Sequence, residues 1–151
     1  MRGIYFDEFQ EGAEFISPTR TITEADVVNF SAMTGDMNEL HTSEAFAKKG
    51  VFGRRVVQGL LGLSISHGLL FRLGLLDGTG IAFLGVDQLK FTAPIFLGDT
   101  VHAKIKVQEK IPSRSKKDRG IIKLFVQLIN EEGTVTQEGI QTVMVRRKIE
   151  N

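Results

Sequence analysis

"VVQGLLGLSISHGLLFRLGLL", Val56 to Leu76, is the stretch on which the fold turns. It is long and apolar enough to raise the question of a membrane span. Gln58, His67 and Arg72 interrupt it, and several glycines thin it. An Arg near its end and a His at its middle are costly in lipid, whereas a helix buried inside a globular protein accommodates both. We therefore read a helix from about Gly59 to about Leu76, stopped by "DGTG", and no membrane partner. A helix apolar nearly all round must be covered on most sides.

The cover lies downstream. From Ile81 the period changes to two. "VHAKIKVQ" puts Val101, Ala103, Ile105 and Val107 on one face and His102, Lys104, Lys106 and Gln108 on the other. "GIIKLFVQLI" is apolar on both faces and suits a central strand. "NEEG", from Asn130 to Gly133, is a hairpin turn, and Gly139 in the returning strand suggests a bulge. Upstream, Thr23 caps a short helix with Glu24 and Asp26 in its first turn, Val27, Phe30 and Ser31 on one face, and Gly35 just past its end. "TSEAFAKKG" makes a second short helix ending at Gly50, and Pro18 ends or edges an N-terminal strand. The outline is α+β: an N-terminal strand, small helices, one long apolar helix, and about four antiparallel strands wrapped around it.

The 151 residues make one domain, 1–151, with no repeat and no low-complexity tract. Nineteen Lys+Arg against eighteen Asp+Glu give +1, so no global field draws in nucleic acid or an anionic membrane. The absence of cysteine excludes disulfides, thiolate metal sites and a Cys nucleophile, and fits a cytoplasmic location. The N-terminus has no apolar segment of the signal-peptide kind.

Chemistry concentrates in "SAMTGDMNELH", Ser31 to His41. Asp36 and His41 lie in a polar loop anchored by a helix end on one side and a helix start on the other. Such anchoring fixes side chains as a catalytic pair requires. A carboxylate and an imidazole sharing one water can take its proton and return one to a substrate. The plain alternative is a polar turn with His41 bonded to backbone. No further His or carboxylate cluster completes a metal site. At "QGLLG", Gly59 would expose backbone N–H groups at a helix N-terminus, where they favour a developing negative charge such as a thioester oxyanion. Alternatively the glycines there only permit close packing. His67 reads as a core histidine. Arg54, Arg55, Lys116 and Lys117 are either solvated charge or a grip for a phosphate-bearing ligand tail.

The run from Phe30 through "TGDMNELH" to "VVQGLLGLSISHGLL" resembles the signature region of the MaoC-like dehydratases, the (R)-specific enoyl-CoA hydratases. Phe30 matches the family's aromatic position, and Gly35, Asp36, Asn38, Leu40 and His41 match its Gly-Asp-x-Asn-Pro-Leu-His pattern. "FTAPIFLGDTV" is similar to the family's later strand pattern. The resemblance implies a hot-dog fold, a homodimer or larger homo-oligomer, and reversible hydration of a trans-2-enoyl thioester with no metal or redox cofactor. Asp36 and His41 would activate water, the Gly59 N–H would polarise the thioester carbonyl, and Asn38 would support the loop. Glu39 stands where the family has Pro, which loosens the preset geometry of the loop. Gln58 stands where it commonly has His, and His67 where some members have Ser, so both are expected at or behind the pocket. A hot-dog thioesterase and a non-catalytic acyl-thioester-binding protein are the rival readings.

Overall fold

All four long strands read from the sequence are present in the computed structural model, which describes residues 3–148. After a 3-10 turn at Phe6–Glu8 come β1 (Glu14–Ile16) and β2 (Arg20–Thr21), split around Pro18. Three helices follow, α1 (Glu24–Thr34), α2 (Glu39–Thr42) and α3 (Glu44–Ala47), then α4 (Gly59–Phe71). Strands β3 (Gly80–Phe91), β4 (Thr100–Pro112), β5 (Arg119–Asn130) and β6 (Val135–Arg146) complete the chain. The sheet is antiparallel, ordered β1-β4-β5-β6-β3, with β2 also on β4.

The alternation in β4 works as expected. Val101, Ala103, Ile105 and Val107 are fully buried, and β5 stands in the middle of the sheet. Ile122, Leu124, Val126 and Leu128 of β5 join them, and Leu61, Ile65, Leu69 and Leu70 of α4 close the core. The helix thus lies against the concave sheet, as its composition demanded.

Three boundaries differ from expectation. α4 stops at Phe71, and its apolar continuation runs through turns in which Leu76 is still buried. α2 is a helical turn within the stretch read as loop. The irregularity expected at Gly139 sits on the opposite strand. Gln88 and Leu89 of β3 together face Gly139 where the register shifts between Asp87 and Lys90, one residue extra in β3, and Gln88 takes φ 51°. A Cβ on Gly139 would come within 3.3 Å of the Leu89 Cα, so the glycine makes room for its neighbour's bulge.

Coverage of α4 is incomplete. Leu60 is 59% exposed and Phe71 43%. On the edge strand β3, Ile81, Phe83, Leu84 and Phe91 are exposed as well. Among the described residues no helix is long and apolar enough to cross a membrane.

Candidate active site

The polar stretch is built by caps. Thr23 and Asp26 form a reciprocal capping box that starts α1, and Gly35 ends it in the left-handed conformation at φ 81°. Thr34 Oγ1 donates to the Phe30 carbonyl and accepts from the Asp36 N–H, which turns the chain out of the helix. Asn38 then caps α2, its side-chain oxygen accepting the Leu40 N–H at 3.0 Å. Glu39 is the first residue of that turn, a position where its carboxylate is favoured by the dipole. The family's Pro position is therefore a helix start, and Glu39 does not prevent the turn from forming.

These caps bring Asp36 and His41 together. His41 Nε2 lies 3.8 Å from Asp36 Oδ2, too far for a direct hydrogen bond and close enough for both to contact one water. Each group is held by its other end. The Asn38 N–H donates to Asp36 Oδ1. His41 Nδ1 lies 2.7 Å from the Val56 carbonyl. A carbonyl can only accept, so Nδ1 carries a proton, and in the neutral imidazole Nε2 is the lone-pair nitrogen that faces Asp36. His41 does bond backbone, as the plain reading had it, and the same bond aims it at the carboxylate.

Val56 links this pair to a cavity. The cavity holds about 330 Å³ and is walled chiefly by Val56, Val57, Gly59, Phe91, Ile95 and Gln137. Gly59 stands in the wall at the N-terminus of α4, where the first N–H groups of a helix have no partner within it. A Cβ there would meet the Phe91 ring at 2.9 Å, so Gly59 serves close packing and an open helix start together. His41 is bonded to Val56 of the cavity wall, and neither His41 nor Asp36 lines the cavity itself.

Other candidates are placed differently from expectation. Gln58 is 1% exposed and faces away from the cavity. Its Nε2 donates to the Val27 carbonyl and to Ser31 Oγ, bracing the start of α4 against α1. His67 is two turns further along α4, bonded through Nδ1 to Gln141 Oε1 and packed against Phe71 and Phe83. It does not line this cavity and is bonded within the fold, in keeping with the reading of a core histidine. Arg55 is committed to Glu24 at 2.9 Å and Glu44 at 2.8 Å, clamping α1 to α3 around the loop. Hydrogen bonds to these two carboxylates push its pKa further up, and the Arg55 bond holds Glu24 below the usual carboxylate range. Arg55 is thus a strut and no longer a phosphate candidate. Lys116 and Lys117 sit in the β4–β5 connection, beyond Gly120. The cavity is at the other end of the sheet, roughly 26 Å along β5 at strand rise. Arg54 alone of the four stays near the site, exposed and stacked 3.7 Å over the Phe96 ring.

Sequence reasoning missed two participants. The Val56 carbonyl has no signature in a sequence. Gln137 had one, a polar residue on the inward parity of β6, shared with Gly139, Gln141, Val143 and Val145.

Residues 8–125 match the family model described as "MaoC like domain". The chain is 32% identical to the (R)-specific enoyl-CoA hydratase of Rhodospirillum rubrum, covering 93% of this chain and 91% of that protein. It is 37% identical to Protein MaoC of Klebsiella aerogenes over 70% of its own length, and spans 31% of that longer protein. The crystal structure of a MaoC-like dehydratase from Rhodospirillum rubrum superposes with a TM-score of 0.88 at 28% identity, over 98% of this chain and 100% of that one. A double hot-dog protein of Mycobacterium tuberculosis, 18% identical, covers 99% of this chain and 46% of its own with a TM-score of 0.82, and shares the fold. The fold is a hot dog, and the chain belongs to the MaoC-like domain family.

Proposed function

We propose that this protein is an (R)-specific enoyl-CoA hydratase, or 3-hydroxyacyl-thioester dehydratase in the reverse direction. The observation that carries the reading is the placement of His41: Nδ1 lies 2.7 Å from the Val56 carbonyl, and Nε2 faces Asp36 Oδ2 at 3.8 Å. In the proposed reaction both groups hold one water. The pair takes a proton from it as its oxygen bonds C3 of the enoyl thioester, and a proton passes from the pair to C2. The electron pair of the C2–C3 double bond moves onto the thioester oxygen in between, where the Gly59 N–H and the α4 N-terminus stabilise it. The thioester stays intact, and no metal or redox cofactor enters the scheme.

The relatives named hydratase support this reading, and Arg54, which has no ion pair among the described residues and stacks over Phe96, is the proposed partner of a phosphate of the thioester carrier. A homodimer belongs to the proposal. The open β3 edge carries the exposed Phe83 and Leu84, and α4 leaves Leu60 and Phe71 uncovered, apolar surface that a second copy would cover. Cytoplasmic thioester metabolism is the setting proposed.

The test is a panel of trans-2-enoyl-CoAs, crotonyl-CoA first, followed by loss of enoyl absorbance and by the stereochemistry of the 3-hydroxyacyl product. Release of free thiol with enoyl absorbance unchanged would replace this reading by a thioesterase. Binding of acyl-CoA without turnover would leave a binding protein.

A further inference from the structure

Gln137 stands between two spaces. On one side is the 330 Å³ cavity at Gly59. On the other is a void of about 10 Å³, bounded by Leu63 and Ser66 of α4, Val86 and Leu89 of β3, and Val126 and Leu128 of β5. Gln137 lines both, and it is 4% exposed.

Its amide is locked in place. Nε2 donates to the Gly59 carbonyl at 2.9 Å. A Cβ on Gly62 would come within 2.2 Å of that nitrogen, so α4 is notched by a glycine to seat it. The amide oxygen is buried and, among the described residues, has no hydrogen-bond partner. A buried amide oxygen without a partner costs stability, and a Val or Leu would fill the same strand position without that cost.

Resting on the hydratase reading, we infer that Gln137 is the residue that sets acyl-chain length. It blocks the path along the underside of α4 and confines the acyl group to the front cavity, so short enoyl thioesters are the substrate class. The back void is lined by these apolar side chains together with the polar Ser66, Glu138 and Gln141, and Gln137 lines both it and the front cavity, so truncating Gln137 would add the volume of its side chain at the back of that cavity. Among the described residues no Lys or Arg lines either space, and Glu138 lines the back void, so a chain ending in a carboxylate finds no counter-charge there.

The experiment compares kcat/KM for crotonyl-CoA and trans-2-octenoyl-CoA in the unmodified protein, Gln137→Ala and Gln137→Met. Binding of butanoyl-CoA and octanoyl-CoA, which cannot be hydrated, is measured beside turnover. Gln137→Ala should shift the octenoyl-to-crotonyl ratio upward by about tenfold or more, the scale of one methylene admitted to an apolar pocket. Gln137→Met keeps the bulk and loses the bond to Gly59, so it should retain the short-chain preference while its rate falls. Gln137→Val, suited to a strand, gives an intermediate shift and serves if the alanine variant does not fold. An unchanged ratio in folded Ala and Val variants overturns the gate, as does an equal shift in Gln137→Met. Failure of the unmodified protein to hydrate any enoyl-CoA overturns the hydratase reading instead, and the saturated acyl-CoAs then still read the gate. If those fail to bind as well, both inferences fall.

Discussion

Replacing Gln58 by alanine should destabilise the protein, and replacing it by methionine should leave it nearly unchanged. Gln58 Nε2 makes two hydrogen bonds to α1, at 3.2 Å to the Val27 carbonyl and 2.9 Å to Ser31 Oγ, while its Oε1 is buried without a partner among the described residues. The two bonds together contribute about 2 kcal/mol net. Alanine forfeits them and leaves a void beneath α4 worth roughly 1–2 kcal/mol more. It also removes the unpaired oxygen, which recovers part of the loss. Gln58→Ala should therefore destabilise by about 2–3 kcal/mol. Methionine fills the space, loses the same two bonds, and deletes the same oxygen, whose burial alone costs about 1–3 kcal/mol. Gln58→Met should stay within about 1 kcal/mol of the parent. Thermal midpoints should fall by roughly 5–10 °C for alanine and by no more than about 4 °C for methionine. Urea unfolding at one fixed protein concentration, with m unchanged, gives the free energies directly. A methionine variant as unstable as the alanine one would show that the two hydrogen bonds outweigh the cost of burying the unpaired oxygen, contrary to this accounting. An alanine variant as stable as the parent would show that Gln58 is no brace at all.

Two further outcomes follow from the same contacts. The bond from Arg55 holds the Glu24 pKa below its unfolded value, so the pair's stabilisation is complete above the ordinary glutamate pKa of about 4.3 and drains as pH falls through that value toward the folded one. Melts between pH 6 and pH 3 should show a steeper acid loss in the parent than in Arg55→Met, and equal slopes would contradict the clamp. Gly62→Ala drives a methyl into the Gln137 amide, and overpacking of this kind costs about 1–3 kcal/mol. Adding Gln137→Ala should restore most of that loss, and strict additivity in the double-mutant cycle would show that the two do not touch.

Much of this architecture was legible because a physical pattern was written in neighbouring residues. The period-two run of β4 names its buried face residue by residue, and Thr23, Asp26 and Gly35 mark both ends of α1 by cap chemistry. Asp36 and His41 could be paired because anchors flank them on both sides. What stayed hidden depends on partners distant in the chain. α2 is four residues long, too short for any periodicity to show. The end of α4 was misplaced because Leu73, Leu75 and Leu76 remain at least half-buried in turns, so apolarity outlasts the helix. The bulge at Gln88 was assigned to the wrong strand because the glycine that accommodates it lies across the ladder. Arg55 looked available for a phosphate because nothing local shows that Glu24, 31 residues away, has already claimed it. Gln137 was overlooked because strand parity was applied to the apolar residues of β6 and not to its glutamines.

The central claim is that Asp36 and His41 act on one water as a unit. A double-mutant cycle on crotonyl-CoA hydration, with Asp36→Asn, His41→Gln and the pair, measures that directly. The account requires each single variant to lose about 10²–10⁴-fold in rate while folded, and the double variant to lose little more than either alone. Near-parental rates in either single variant, or losses that multiply in the double, would contradict it.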